Sequence, residues 1–132
     1  KLRKQKIRFP KIKEISAIKL IKLIKKANGT PVIAHPWIFP KILKEKNIKK
    51  YVKAGLKGLE INNGDRYPFK KKGIDKKIKK LAKKYRLILT SGSDYHGERM
   101  VKLMPGNHAL GKNNCDEKIV KELKLNLLNN YF

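Results

Sequence analysis

Three short apolar runs set the architecture open to this chain: "TPVIAHP" at residues 30–36, "LKGLEINN" at 56–63 and "RLILTSGSD" at 86–94. Each follows a lysine-rich stretch whose apolar residues recur at helical spacing. That period favours an amphipathic helix, whereas short runs of Val, Ile and Leu favour buried strands of a parallel sheet. Helix and strand therefore alternate along the chain. Alternation of this kind builds an α/β fold with parallel strands joined by right-handed crossovers.

The first helix is predicted to start after Ser16, a capping residue, and to stop at Asn28-Gly29. Its apolar stripe is Ile18, Leu20, Ile21, Leu23 and Ile24, with Lys19, Lys22, Lys25 and Lys26 outside it. A second helix is expected over 41–54, with Ile42, Leu43, Ile48, Tyr51 and Val52 as contacts and Gly55 as its end. Asp75 is the expected cap of a third helix over 76–85, and Asp116 begins a fourth over 116–128. Residues 1–13 read as a basic lead-in with Pro10, and residues 97–115 as a long loop. The expected total is about three parallel strands and four helices. A complete barrel of such units needs about eight of them and roughly 250 residues.

Charge bears on partners. The chain carries 35 Lys and Arg against 10 Asp and Glu over 132 residues, a formal net charge of +25. A field of that size draws anions, phosphorylated molecules and nucleic acids among them. The lysines are spread along the chain, so a proteome-wide drift in composition explains the same count. The one cysteine, Cys115, excludes an internal disulfide and a Cys-rich zinc site. No run reaches the ~18 apolar residues of a bilayer span, and no secretory signal is visible. The expectation is a cytoplasmic protein without a membrane partner, with "AIKLIKLIKKA" a packed helix rather than a membrane-surface one.

In parallel α/β folds, functional side chains gather at the carboxyl ends of strands. Here those ends hold His35, then Glu60 with Asn62, Asn63, Asp65 and Arg66, then Asp94 and His96 of "SGSDYHGE". Imidazole and carboxylate together suit Zn, Mn or Fe. Asp94 and His96 share a parity on an extended segment, so both can face one side, and Gly92 and Gly97 allow a tight turn around them. A plainer reading stands beside each. His35 is also a strand-end residue with a satisfied hydrogen bond; "SDYH" is also a capping turn; Glu60 also caps a backbone group or pairs with a lysine. Arg66 and His108 are also solvated loop residues, and Trp37 and Phe39 are packing residues before they are a stacking platform.

"ANGTPVIAHPW", "AGLKGLEINN" and "AKKYRLILTSGSDYHG" resemble, in order and spacing, the later motifs of the PHP (polymerase and histidinol phosphatase) superfamily. "PGNHALG" downstream is similar to the loop after the "SDxH" motif in stand-alone PHP phosphoesterases acting on nucleoside phosphates and RNA 5′ ends. The resemblance implies a partial (β/α)7 PHP-type barrel and a hydrolase, a phosphoesterase using a metal-activated water with Mn, Fe or Zn. It implies His35, Asp94 and His96 as metal ligands, with Glu60 and His108 as supporting residues. Arg66 stands near the position where many relatives have a phosphate-contacting His. Its guanidinium can bind phosphate in a bidentate manner but is neither a ligand nor a proton donor in the usual sense. The family's "HxH" motif and its further ligands are absent upstream of His35. The expectation is that residues 14–132 form the carboxyl-terminal part of a PHP domain.

Three functions fit. One is a phosphoesterase acting on nucleotides or on the 5′ end of RNA or an oligonucleotide, exoribonuclease-like, and complete with an amino-terminal half. Another is a non-catalytic basic nucleic-acid-binding module. The third is a non-functional remnant. Metal-dependent turnover separates the first from the others, and salt-sensitive binding without metal separates the second from the third.

Overall fold

The computed structural model describes residues 14–61, 72–99, 111 and 115–128. Its elements run α1 (Ala17–Lys26), β1 (Val32–Ile33), α2 (Glu45–Ala54), β2 (Gly58–Glu60), α3 (Ile74–Tyr85), β3 (Ile88–Thr90) and α4 (Glu117–Leu128). The three strands form one parallel sheet in the order β1-β2-β3. Helix and strand alternate as the periodicity requires: three parallel strands and four helices among the described residues. None of those helices is long and apolar enough to cross a membrane. The basic lead-in over 1–13 lies outside the described residues, as do Arg66 and His108.

Local chemistry accounts for most of the boundaries. Ser16 caps α1, its hydroxyl accepting from the Lys19 amide at 3.3 Å. Asn28 takes the left-handed position that ends α1 (φ 57°). Gly29 follows because an added Cβ would lie 2.8 Å from Ile24 Cγ2. Gly55 closes α2 with φ 112°. Asp116 caps α4, its Oδ1 accepting from the Lys118 amide at 2.9 Å.

Two helix starts differ from expectation. Residues 40–44 coil in turns, with Ile42 N–H donating to Phe39 O and Leu43 N–H to Pro40 O, and α2 begins only at Glu45. These i→i+3 turns carry Leu43 fully into the core. The third helix begins two residues earlier than predicted. Gly73, in a left-handed conformation (φ 84°), holds the cap position, and Asp75 sits in the first turn. There its charge suits the helix dipole.

In register across the sheet, Ile33 pairs with Leu59 and Leu59 with Leu89. These side chains share one side of the pleat and pack into the cluster built by Leu43, Ile48 and Ile78. Leu43, Ile48, Leu59 and Ile78 are each 0% exposed. Helix α1 packs on α2 rather than on the sheet, and this narrows its contact. Of the predicted stripe only Ile21 is buried, Ile24 is half-buried, and Ile18, Leu20 and Leu23 face outward.

The opposite face of the sheet has Val32, Gly58 and Ile88 in one row. A Cβ at Gly58 would lie 3.0 Å from both Ile88 O and Val32 Cγ2. Gly58→Ala is therefore expected to destabilise the fold by about 1–3 kcal/mol through overpacking. The check is a lower urea midpoint with an unchanged slope.

Candidate active site

The carboxyl ends of the strands bring two sequence candidates into direct contact. Glu60 ends β2, and its Oε2 accepts from the His35 amide at 2.5 Å, across 25 positions of sequence. The residue therefore caps a backbone group, and the group it caps belongs to the other candidate. His35 follows β1 with φ 28°, a left-handed value that few non-glycine residues hold. The Glu60 carboxylate holds that turn in place. Gly92 borders the same carboxylate, since a Cβ there would lie 3.8 Å from Glu60 Oε1.

The His35 ring stands edge-on to Trp37, with centroids 6.3 Å apart and planes at 70°. Trp37 is buried in the core and Phe39 is exposed, so the packing reading of Trp37 holds. His35 Nδ1 is buried and has no hydrogen-bond partner among the described residues. A buried lone pair or N–H left this way costs stability unless something answers it.

Asp94 and His96 meet differently from the strand-parity expectation. Residues 91–97 are not a strand, and Asp94 is left-handed at φ 54°. The chain turns there, so the His96 ring folds back onto Asp94. Nδ1 lies 2.6 Å from Asp94 O and 3.7 Å from Asp94 Oδ1. A carbonyl only accepts, so Nδ1 carries a proton, and in the neutral ring the unshared pair is on Nε2. The side chain of His96 is 62% exposed. Beyond it the Tyr95 hydroxyl donates to Glu98 Oε1 at 3.0 Å. That bond, then burial, pushes the phenol above its ordinary pKa.

Two imidazoles and a carboxylate are donor types that suit a divalent metal. Among the described residues no group of three or more His, Cys, Asp or Glu side chains closes into a metal cage. His35 on one side and the Asp94–His96 pair on the other are partial sets. Arg66 and His108 lie outside the described residues.

The Glu60 strut gives a direct prediction. Glu60→Ala is expected to expose the His35 amide to rapid hydrogen exchange and to cost about 1–3 kcal/mol. Glu60→Gln keeps an acceptor oxygen and is expected to retain most of the protection. Equal exchange in both variants would mean that the carboxylate does not hold the turn.

Comparison with known proteins returned no matching family model and no matching curated protein. Among solved structures, the chain is similar to a Bifidobacterium adolescentis protein provisionally described as a metal-dependent phosphoesterase. The identity is 27% and the TM-score 0.70, over 94% of this chain and 41% of the other. The chain thus spans less than half the length of that relative. The likeness supports the PHP-like fold suggested by the motifs, with the three strands and four helices as part of a barrel.

Proposed function

We propose that this chain supplies the carboxyl-terminal part of a PHP-type metal-dependent phosphoesterase. The observation that carries the reading is the fold-level likeness, over 94% of the chain, to a protein provisionally described as a metal-dependent phosphoesterase. The placement of His35, Glu60, Asp94 and His96 along one carboxyl edge agrees with it.

His35, Asp94 and His96 would hold a divalent ion, Mn, Fe or Zn, together with ligands from an amino-terminal half; bound there, it would supply Lewis-acid chemistry and a more acidic water. The chain's own residues do the rest. Glu60 orients His35 through its backbone, and the Asp94 carbonyl engages His96 Nδ1, which leaves Nε2 as the nitrogen that would serve a metal. Arg66 would steady the substrate phosphate, and His108 would support the centre. The substrates are nucleotides or the 5′ ends of RNA or oligonucleotides, in a cytoplasmic setting.

The test is hydrolysis of nucleoside monophosphates and 5′-phosphorylated oligonucleotides by the full-length gene product, with and without a chelator. Turnover lost on chelation and restored by Mn, Fe or Zn supports the reading. Turnover indifferent to chelation overturns it.

A further inference from the structure

The walls between α2 and α3 form a second feature, separate from the strand ends. Two adjoining concavities of about 520 and 330 Å³ lie there and share Glu45 and Lys84. Their cationic lining is Lys46 and Lys49 of α2 with Lys77, Lys80 and Lys84 of α3. Their one acidic side chain is Glu45. None of His35, Glu60, Asp94 or His96 lines either concavity.

Glu45 does little to cancel this charge at a distance. It pairs with Lys84 and accepts from the Tyr85 hydroxyl at 3.0 Å. The Lys84 contact first, then the Tyr85 bond, holds its carboxyl below the usual carboxylate range. Glu45 thus engages Lys84 and Tyr85 where the two concavities meet, with Lys46 and Lys49 lining the one and Lys77 and Lys80 the other. Lys77, Lys80 and Lys84 fall at i, i+3 and i+7, one line along α3 about 10 Å long. Lys46 and Lys49 of α2 line the adjoining concavity with the half-buried Tyr85 ring, and buried Leu43 and Leu81 line the concavity of Lys77 and Lys80.

We propose that this trough is a binding track for the phosphodiester backbone of a nucleic acid, independent of metal and of the strand-end site. Two lines of cations suit a polymer that carries one charge at every residue. Lysines act on it as point charges without demanding a fixed geometry. The apolar floor and the tyrosine ring suit the sugars and bases of a single strand. The track is an open groove, so a chain can enter along its length rather than thread an end.

The experiment compares two four-lysine variants of the full chain, matched in net charge. K46Q/K49Q/K77Q/K80Q removes the track, and K19Q/K22Q/K26Q/K118Q removes lysines from α1 and α4. All eight are exposed, so both variants should keep the parent circular dichroism. Binding of an end-labelled single-stranded RNA is read by fluorescence anisotropy in chelator over a range of salt. The track variant is expected to bind about tenfold more weakly than the control variant. Its log–log salt slope should be shallower by about 3, from roughly 0.7 per lost phosphate contact. Equal weakening in both variants would assign the binding to overall charge and overturn the proposal. So would competition by polyglutamate as effective, per charge, as competition by unlabelled RNA. Because chelator is present throughout, the outcome does not depend on the phosphoesterase reading.

Discussion

Asparagine at position 94 of the full-length gene product is expected to lower metal-dependent phosphate-ester hydrolysis by more than about a hundredfold. Loss of a hydrogen-bond partner to a metal ligand costs about 10–100-fold, so if Asp94 is a ligand, as proposed, its loss should exceed that range. The substitution is chosen for its backbone. Asp94 sits at φ 54°, and asparagine tolerates that left-handed region as well as aspartate does. The turn that brings the His96 ring onto the Asp94 carbonyl should therefore survive, and with it the His96 tautomer. What changes is the carboxylate charge. His35→Asn follows the same logic at φ 28° and removes an imidazole. Metal content per chain, measured by elemental analysis, should fall with turnover in both variants. Retained activity in the Asp94 variant, with metal content unchanged, would remove this residue from the centre.

The second large effect concerns the core. Leu59→Ala is expected to cost about 3 kcal/mol, within the usual 2–5 kcal/mol for a buried leucine. Leu59 is fully buried, lies in the central strand and is flanked in register by Ile33 and Leu89. Few places exist for the neighbours to move into the space it leaves. Against a typical domain stability of about 5–15 kcal/mol, that loss is a large fraction. Leu23→Ala is the control. Leu23 is 46% exposed on α1, so its truncation should stay within about 0.5 kcal/mol. Urea midpoints separate the two. A Leu23 effect as large as that of Leu59 would mean that the outer stripe of α1 is covered in solution.

That contrast marks where pattern reading stops. Leu20, Leu23 and Ile21 share one helical period, and periodicity treats them alike. Burial depends on how wide a strip the neighbouring element covers, and α1 meets α2 along a narrow one. The shift of the third helix start has a similar origin. Asp75 is a good cap by residue type, but Gly73 has the left-handed freedom that places Ile74 against the core. That His35, Glu60, Asp94 and His96 stand at or just after strand ends was legible, because it follows from the α/β order. That Glu60 grips the His35 amide was not legible, because 25 residues separate the two. Nor was the turn at Asp94, since alternating parity assumes an extended chain and the φ there is positive.

The sequence by itself determined the alternation of helix and strand, the caps at Ser16 and Asp116, the stop at Gly55 and the residue types at the strand ends. All of these rest on interactions within a few residues: side-chain period, amide capping and the freedom of glycine. Tertiary structure alone decided which apolar faces are buried and which carboxylate holds which histidine. It also decided that Lys46 and Lys49 line one concavity and Lys77 and Lys80 the next, with Lys84 common to both. Those outcomes depend on how the helices pack over the sheet. That packing brings together groups whose separation along the chain leaves no local trace.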